Sequence, residues 1–446
     1  MIVNFTKKQM SYLVICITLM LPLVGWAQDD PEVLESASLD EIVDYALKHQ
    51  PVLQQAKIDQ QITEKQIKGK LADWYPQVNF DYNYQYWSQL MARAFQGNIV
   101  TLGIRNLATA QFSVTQNLFD PNALLAGTTA STVRVQSEQN IKKSKIDLVV
   151  NVSKAFYDVL ATMQQIRVSE ESVVRLKQSV ENARNRYNSG ISDKTDYQRA
   201  RIALSNAETQ LRTNREMLGY KEQVLKALMG YPNDNPLPLQ YDWSAMEEQV
   251  QIDTTQTIMY NNHIDYQLIQ TQKELQKANL SYSKWAFVPT INASAYYSLY
   301  YLNSNFNELY SSSSNHPYSY FSLSMNFPIF QGNKRIAKVQ EQRLASDRLD
   351  EGIRNLKNNL STEYTRSMAT YKSNLYNFNT QKENTELAEE VYHVISLQYQ
   401  NGVKTYLDMI VAETDLRTSR INYYNALYQV LASKMDVQRA LGQINY

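Results

Sequence analysis

Cysteine is almost missing: 446 residues hold one, Cys16, so the fold owes nothing to disulfides. Neither sign of charge is in excess. Lysine and arginine number 44, as do aspartate and glutamate, which leaves no basic field for nucleic acid and no electrostatic reason for a polyanionic partner. His49, His263, His316 and His393 are scattered, with no partners at metal-ligand spacing. There is no nucleophile elbow, P-loop or dinucleotide fingerprint. The many carboxylates lie among Lys, Arg and Gln on polar helix faces, where solvation accounts for them. Enzyme chemistry, cofactors and metals are therefore not expected.

Long hydrophobic runs are also missing after the first residues, none approaching the roughly 18 apolar residues of a membrane-spanning helix. At the N-terminus, Lys7 and Lys8 precede the apolar run Tyr12–Leu23, and Gly25, Trp26 and Ala27 form a small-x-small cleavage site. Residues 1–27 thus read as a secretory signal peptide cleaved near Ala27. Cys16 lies inside it and lacks the small residues that precede a lipid-anchored cysteine. The mature protein is expected to be exported, non-lipidated and to begin near Gln28.

Glycine (12) and proline (11) are sparse, and several stand at matching points of a sequence written twice. Tyr187-Asn-Ser-Gly190, Asp196 and the close at Leu228-Met-Gly230 return as Tyr399-Gln-Asn-Gly402, Asp408 and Ala440-Leu-Gly442, at an offset of 212. A duplication of this length points to a repetitive architecture. The first repeat, 28–240, reads as a helix over 38–72, strands over 77–88 and 108–119, a long helix over 122–188 and a helix over 193–229. Ser38 and Glu41 open the first helix as a capping box. The second repeat, 241–446, has a helix over 254–285, strands over 290–302 and 318–330, a long helix over 333–400 and a last helix over 405–441. Val152, Val159, Ile166, Val173, Val180 and Tyr187 recur every seven residues, as in a coiled-coil seam. The matching column is Tyr364, Tyr371, Phe378, Thr385, Tyr392 and Tyr399. A long helix of this kind spans on the order of 100 Å, matched by two medium helices placed end to end. The expected shape is a rod or a tube wall.

The strands alternate strictly. Val78, Phe80, Tyr82, Tyr84 and Tyr86 interleave with Asn79, Asp81, Asn83 and Gln85; Phe321, Leu323, Met325, Phe327 and Ile329 interleave with Ser322, Ser324 and Asn326. Between the first two strands a loop of roughly twenty residues, with Gly97 and Gly103, is expected. Alternation alone does not separate a lipid-facing sheet from a soluble sheet resting one face on helices. Export, pairing into two hairpins and the shortage of covering sequence favour lipid. Four strands cannot close a barrel, and lipid does not tolerate open edges, so the membrane reading demands several copies. Two, three or four copies remain open on these grounds.

Several phrases carry a family resemblance. Ser38-Leu-Asp-Glu-Ile-Val-Asp-Tyr-Ala-Leu-Lys-His49-Gln-Pro51-Val-Leu53 opens the chain, with Asn262-His-Ile-Asp-Tyr266 as a weaker second copy. Trp74-Tyr-Pro76 and Phe287-Val-Pro289 lead into strands. Asn326-Phe-Pro-Ile-Phe330-Gln-Gly332 leaves one, and Gln116-Asn-Leu-Phe119-Asp matches without its proline and glycine. In this order, twice, they resemble the TolC-type outer-membrane efflux proteins over nearly all the expected mature chain. The resemblance implies a mixed, mainly α fold. A long-helix periplasmic α-barrel would continue a trimeric twelve-stranded transmembrane β-barrel, four strands per chain. It also implies a homotrimer in outer-membrane lipid, docked by a periplasmic adaptor protein and an inner-membrane pump. The function implied is a passive exit channel of a tripartite efflux pump or type I secretion system. A non-channel periplasmic coiled-coil adaptor or scaffold is the alternative.

The resemblance places the periplasmic tips at Tyr187, Gly190 and Asp196 and at Tyr399 and Gly402, as adaptor-docking candidates. It places a gate at Asp408, with Lys404 as the basic residue that holds the entrance shut; Val411 replaces the family's second acid. Symmetry-related copies of Asp408 around one axis would attract cations and raise one another's pKa. A solvated surface aspartate, or an intramolecular partner for Lys404, is the plainer alternative.

Overall fold

The structure, a computed structural model, describes Leu34 and residues 36–446 apart from Gln96. The expected signal peptide and its cleavage site lie outside the described residues.

Helix α1 (Leu39–His49) begins at the capping box of Ser38 and Glu41, with both reciprocal hydrogen bonds formed. It is followed by α2 (Pro51–Leu71), a break inside the helix expected over 38–72. Pro51 causes the break, because it lacks an N–H and forces Gln50 into extended backbone, and it then serves as the first residue of α2. Strand β1 (Gln77–Tyr86) leads to a short hairpin, β2 (Met91–Phe95) and β3 (Asn98–Leu102), inside the stretch expected to be loop. Strand β4 (Asn106–Phe119) runs into α3 (Pro121–Asn188), whose N-terminal N–H groups are capped by Asp120. Helix α4 (Lys194–Met229) returns alongside.

A linker then carries α5 (Trp243–Glu248), not expected from the sequence. The helix expected over 254–285 starts ten residues later, as α6 (Ile264–Trp285). Residues before it are held otherwise: Asp253 caps Thr255 in a local turn, and His263 is the N-cap that starts α6. Strands β5 (Thr290–Asn303) and β6 (Tyr318–Asn326) follow. β6 stops short of the expected 330 because Pro328 has no N–H for a ladder. Helices α7 (Lys334–Gln400) and α8 (Tyr406–Leu441) complete the chain. Among the described residues no helix is long and apolar enough to cross a membrane.

The sheet order is β1-β4-β5-β6, all neighbours antiparallel, with β1 and β6 as free edges. Helices below repeat that order. α3 packs against α2 and α4 on one side and against α6 and α8 on the other, and α7 packs against α6 and α8. The wall is thus four columns wide: α2 on α4, then α3, then α6 on α8, then α7. Each column hangs from one strand. The stacked columns meet at two glycines: a Cβ on Gly230 would lie 2.8 Å from the His49 carbonyl oxygen, and one on Gly442 would lie 2.9 Å from that of Asn262. The largest core gathers at this level, where Ile42, Leu53, Val152, Leu160, Leu427 and Leu431 are buried with Tyr371.

The seam residues differ between halves for a visible reason. Val152 and Val159 are fully buried in the first. Their counterparts Tyr364 and Tyr371 turn hydroxyls onto the linker: Tyr364 donates to Gln256 O, Tyr371 donates to Val250 O (2.9 Å) and accepts from Ile252 N (3.2 Å).

Candidate functional site

Two regions carry the expected function, one at each end of α3, which at 68 residues separates them by about 100 Å. At the upper end, the strand register gathers the apolar residues onto one face. Val78 pairs with Val114 and Val114 with Ala295, which pairs with Phe321; Phe80 pairs with Phe112 and Phe112 with Tyr297. These side chains point to the open side: Phe321 is 73% exposed, Val78 69% and Phe80 56%. The opposite face carries Asn79, Asp81, Asn83, Thr109, Gln111, Ser113, Ser322 and Ser324.

Aromatic residues bracket the apolar band. Tyr82 and Tyr84 lie at its outer end, where Tyr310 and Phe306 of the loop after β5 fold onto them, with Tyr82 and Tyr310 hydroxyls 2.6 Å apart. Phe327, Ile329 and Phe330 are exposed at its lower end, and Arg335 stacks over Phe287 at 4.7 Å beside them. A band of lipid-compatible side chains with aromatic girdles and a polar reverse face is how a transmembrane β-sheet meets a bilayer.

At the lower end the two helix turns lie side by side. Gly190 and Gly402 adopt φ of 71° and 77°, so each closes a tight turn, and a Cβ at either would meet nothing within 4 Å. Tyr399 is packed edge-on against Tyr406 (6.0 Å), and the Arg186 guanidinium sits 5.2 Å over its ring. Ser179 Oγ donates to Tyr406 OH at 3.3 Å. Burial pushes the Tyr399 phenol above its ordinary pKa, the Arg186 charge opposes this and Asp196 adds to it. Of the expected tip residues, the structure packs Tyr399 against Arg186 and Tyr406, while Tyr187 is exposed. Arg186, Tyr406 and Ser179 belong to this cluster and were missed by sequence reasoning; only Tyr406, one residue inside the last helix, carried an aromatic signal.

Asp408 is the third helical residue of α8 and forms a capping box with Thr405. Its Oδ2 accepts from Thr405 Oγ1 (2.7 Å) and Thr405 N (3.0 Å), and its own N–H donates to Thr405 Oγ1 (3.2 Å). The Thr405 hydroxyl and N–H lower its pKa below 3.8, with Lys404 adding a smaller lowering. Within one chain the direction is opposite to the rise expected from a ring of aspartates, because a capping carboxylate is stabilised as the anion. Lys404 is exposed at the turn.

Above the tips, Glu413 is buried between helices. Ser172 Oγ donates to it at 2.6 Å and Arg175 Nη2 at 3.2 Å, while the same guanidinium lies 5.6 Å over the Tyr392 ring. One residue each from α8 and α7 is therefore fixed to α3 by a single arginine. Nothing in the spacing of the sequence announces it. Among the described residues no group of three His, Cys, Asp or Glu side chains is placed to hold a metal ion.

The model of the outer membrane efflux protein family matches residues 42–231 and 262–443. The outer membrane protein TolC of Salmonella enteritidis is 20% identical over 436 residues, covering 96% of this chain and 86% of that protein. The solved structure of CusC superposes with a TM-score of 0.75 at 17% identity, covering 94% of this chain and 95% of the other. The Campylobacter jejuni CmeC outer membrane channel superposes with a TM-score of 0.73 at 15% identity, covering 91% and 85%. With the exposed apolar sheet, the four-column helical wall and a family match over most of its length, the chain belongs to the outer membrane efflux protein family, transport components of the outer membrane and not enzymes.

Proposed function

We propose that this protein is the passive outer-membrane exit duct of a tripartite efflux pump or type I secretion system, built from three copies. The observation that carries the reading is the shared order of strands and helices across a curtain with two free edges. In lipid, the unpaired N–H and C=O groups of β1 and β6 have no water to bond. Adding a second copy's β1 beside β6 satisfies one edge and presents another, so only a closed ring ends the series. Three copies give twelve strands over a tube of twelve helical columns, the arrangement implied by the family resemblance. The coiled-coil adaptor or scaffold reading needs a cover for the apolar face. Among the described residues only the loop after β5 lies on it, at its outer end.

At the far end, the paired tip turns with Tyr187, Gly190, Asp196, Tyr399 and Gly402 form a surface for a periplasmic adaptor, through which an inner-membrane pump supplies the energy. Asp408 and Lys404 form the entrance. A capped aspartate with a lowered pKa stays negative, and three around an axis attract cations. With Val411 in place of a second acid, the block by divalent cations is weaker than two acid rings would produce.

The closure is testable because the expected mature chain has no cysteine of its own. With Asn79→Cys on β1 and a cysteine scan along β6 from Ser322 to Ser324, oxidation of outer-membrane fractions is expected to give covalent dimers and trimers and nothing larger. Bands beyond three copies, or none at any position while the chain remains in the membrane, defeat the three-copy ring.

A further inference from the structure

Four tyrosines stand on the polar side of the sheet. Tyr296, Tyr300, Tyr318 and Tyr320 share the face of Ser322 and Ser324, opposite to Tyr297, Phe321 and Leu323. In a closed barrel that face lines the lumen. The rings form a ladder: Tyr296 and Tyr320 stack at 4.7 Å and 21°, Tyr318 and Tyr320 at 6.4 Å and 9°, and Tyr300 meets Tyr318 edge-on at 6.0 Å. Ser298, between Tyr296 and Tyr300 and paired with Tyr318, is fully buried. Tyr318 and Tyr320 nevertheless remain about half exposed, at 43% and 51%.

Toward the outer end the ladder runs into a cavity of about 460 Å³. Gln85, Leu107, Tyr300 and Leu302 of the sheet form its floor, and Trp87 and Met91 at the base of the β2–β3 hairpin form its roof. Its size and its mainly apolar lining, with Gln85 and Tyr300 among the lining residues, suit a small organic molecule. Cross-strand aromatic pairs stabilise a sheet. That does not account for a hairpin standing over an open-sided, mainly apolar cavity at the end of the same ladder.

We infer that this tract binds flat aromatic molecules, which stack along the tyrosines and occupy the cavity under the hairpin on their way out. The inference rests on the channel reading above and adds a ligand class to it. A planar guest gains ring stacking in addition to buried area, whereas an aliphatic one of similar size gains area alone. The test is single-channel recording of the reconstituted full-length protein with naphthol as the probe and cyclohexanol as the comparison. Naphthol is expected to cause resolved current interruptions, and cyclohexanol far fewer. Tyr296→Ser with Tyr320→Ser should shorten the interruptions by about three- to tenfold. Tyr297→Leu, on the lipid face of the same strand, should leave them unchanged. If the double variant does not assemble, Leu107→Trp, which fills the cavity and spares the ladder, carries the same expectation. Equal effects of the two probes, or unchanged interruptions in the variants, overturn the inference while the conductance itself upholds the channel. Absence of any conductance overturns both.

Discussion

Gly230 and Gly442 serve the same purpose at the level where the columns stack. Both have positive φ, and both leave room for a carbonyl of the helix junction above. Gly190 and Gly402 have the same backbone but empty surroundings. Gly190→Ala should therefore lose about 1 kcal/mol, the left-handed strain alone. Gly230→Ala adds a backbone clash and should lose about 3 kcal/mol, read from thermal denaturation of the detergent-extracted protein. Equal losses at the two sites would mean that the close approach does not matter. Asp408 poses a different question, since its capping bonds hold the pKa down while a ring of copies would push it up. Thr405→Val removes the largest lowering cause, so any cation block of the channel should disappear at a higher pH than in the unaltered protein. The gate assignment falls if Asp408→Ala leaves the block as it was. The family resemblance singled out this aspartate; the Thr405-x-x-Asp408 spacing is a capping-box pattern of the kind read at Ser38 and Glu41, and sequence reasoning passed over it.

At the scale of elements, the helices are joined by polar contacts that no periodicity reveals. Removing the Glu413 carboxylate leaves Arg175 facing a buried gap between α3, α7 and α8. Glu413→Ala is expected to cost about 3 kcal/mol, and Glu413→Gln, which keeps a hydrogen-bond acceptor, distinctly less; chemical denaturation followed by helix signal compares them. The N-cap of α6 is a second such contact. His263 Nδ1 accepts the Asp265 N–H at 3.3 Å, which a protonated ring cannot do. Burial holds its pKa below the ordinary 6.5, Arg439 and Lys143 add to the lowering, and Asp265 opposes it. A folded-state pKa below the unfolded one contributes stability that is complete above about pH 6.5 and is lost as the pH falls through the folded value. The midpoint of thermal unfolding should thus drop between pH 7 and 5, and His263→Asn, which retains a capping side chain, should flatten that slope. Heptad spacing was enough to draw α3 and α7. It missed the start of α6 because residues 250–259 are spent on the linker, where Val250 and Ile252 are tied to Tyr371 and Gln256 to Tyr364.

For the whole molecule, the decisive feature is that one face of the sheet matches lipid and the other matches water. A charge placed on each face separates them. Leu323→Arg should oppose membrane insertion by about 2–4 kcal/mol if the site lies near the bilayer midplane, whereas Ser322→Arg, one residue away and turned inward, should insert normally. Fractionation and heat-modifiable mobility report both, and equal insertion of the two variants would refute the assignment of faces. Much of this was legible beforehand: two-residue alternation set each strand's faces, and length set the helical wall. The β2–β3 hairpin was not, since five-residue strands offer too little alternation to be seen. Nor were the tyrosines of the polar face, because Tyr296 and Tyr297 are consecutive and only the register shows which of them shares the face of Ser113 and Tyr320.

The amino-acid order by itself determined the long helices and the four main strands, because helix and strand periodicity, caps and prolines act over a few residues. It also determined that the strands have one apolar and one polar face. Tertiary structure decided which strand lies beside which, and that the helical columns follow in the same order. It also decided that Glu413 is enclosed, against Ser172 and Arg175. Those outcomes depend on contacts between residues far apart in the chain, whose energies no local pattern encodes.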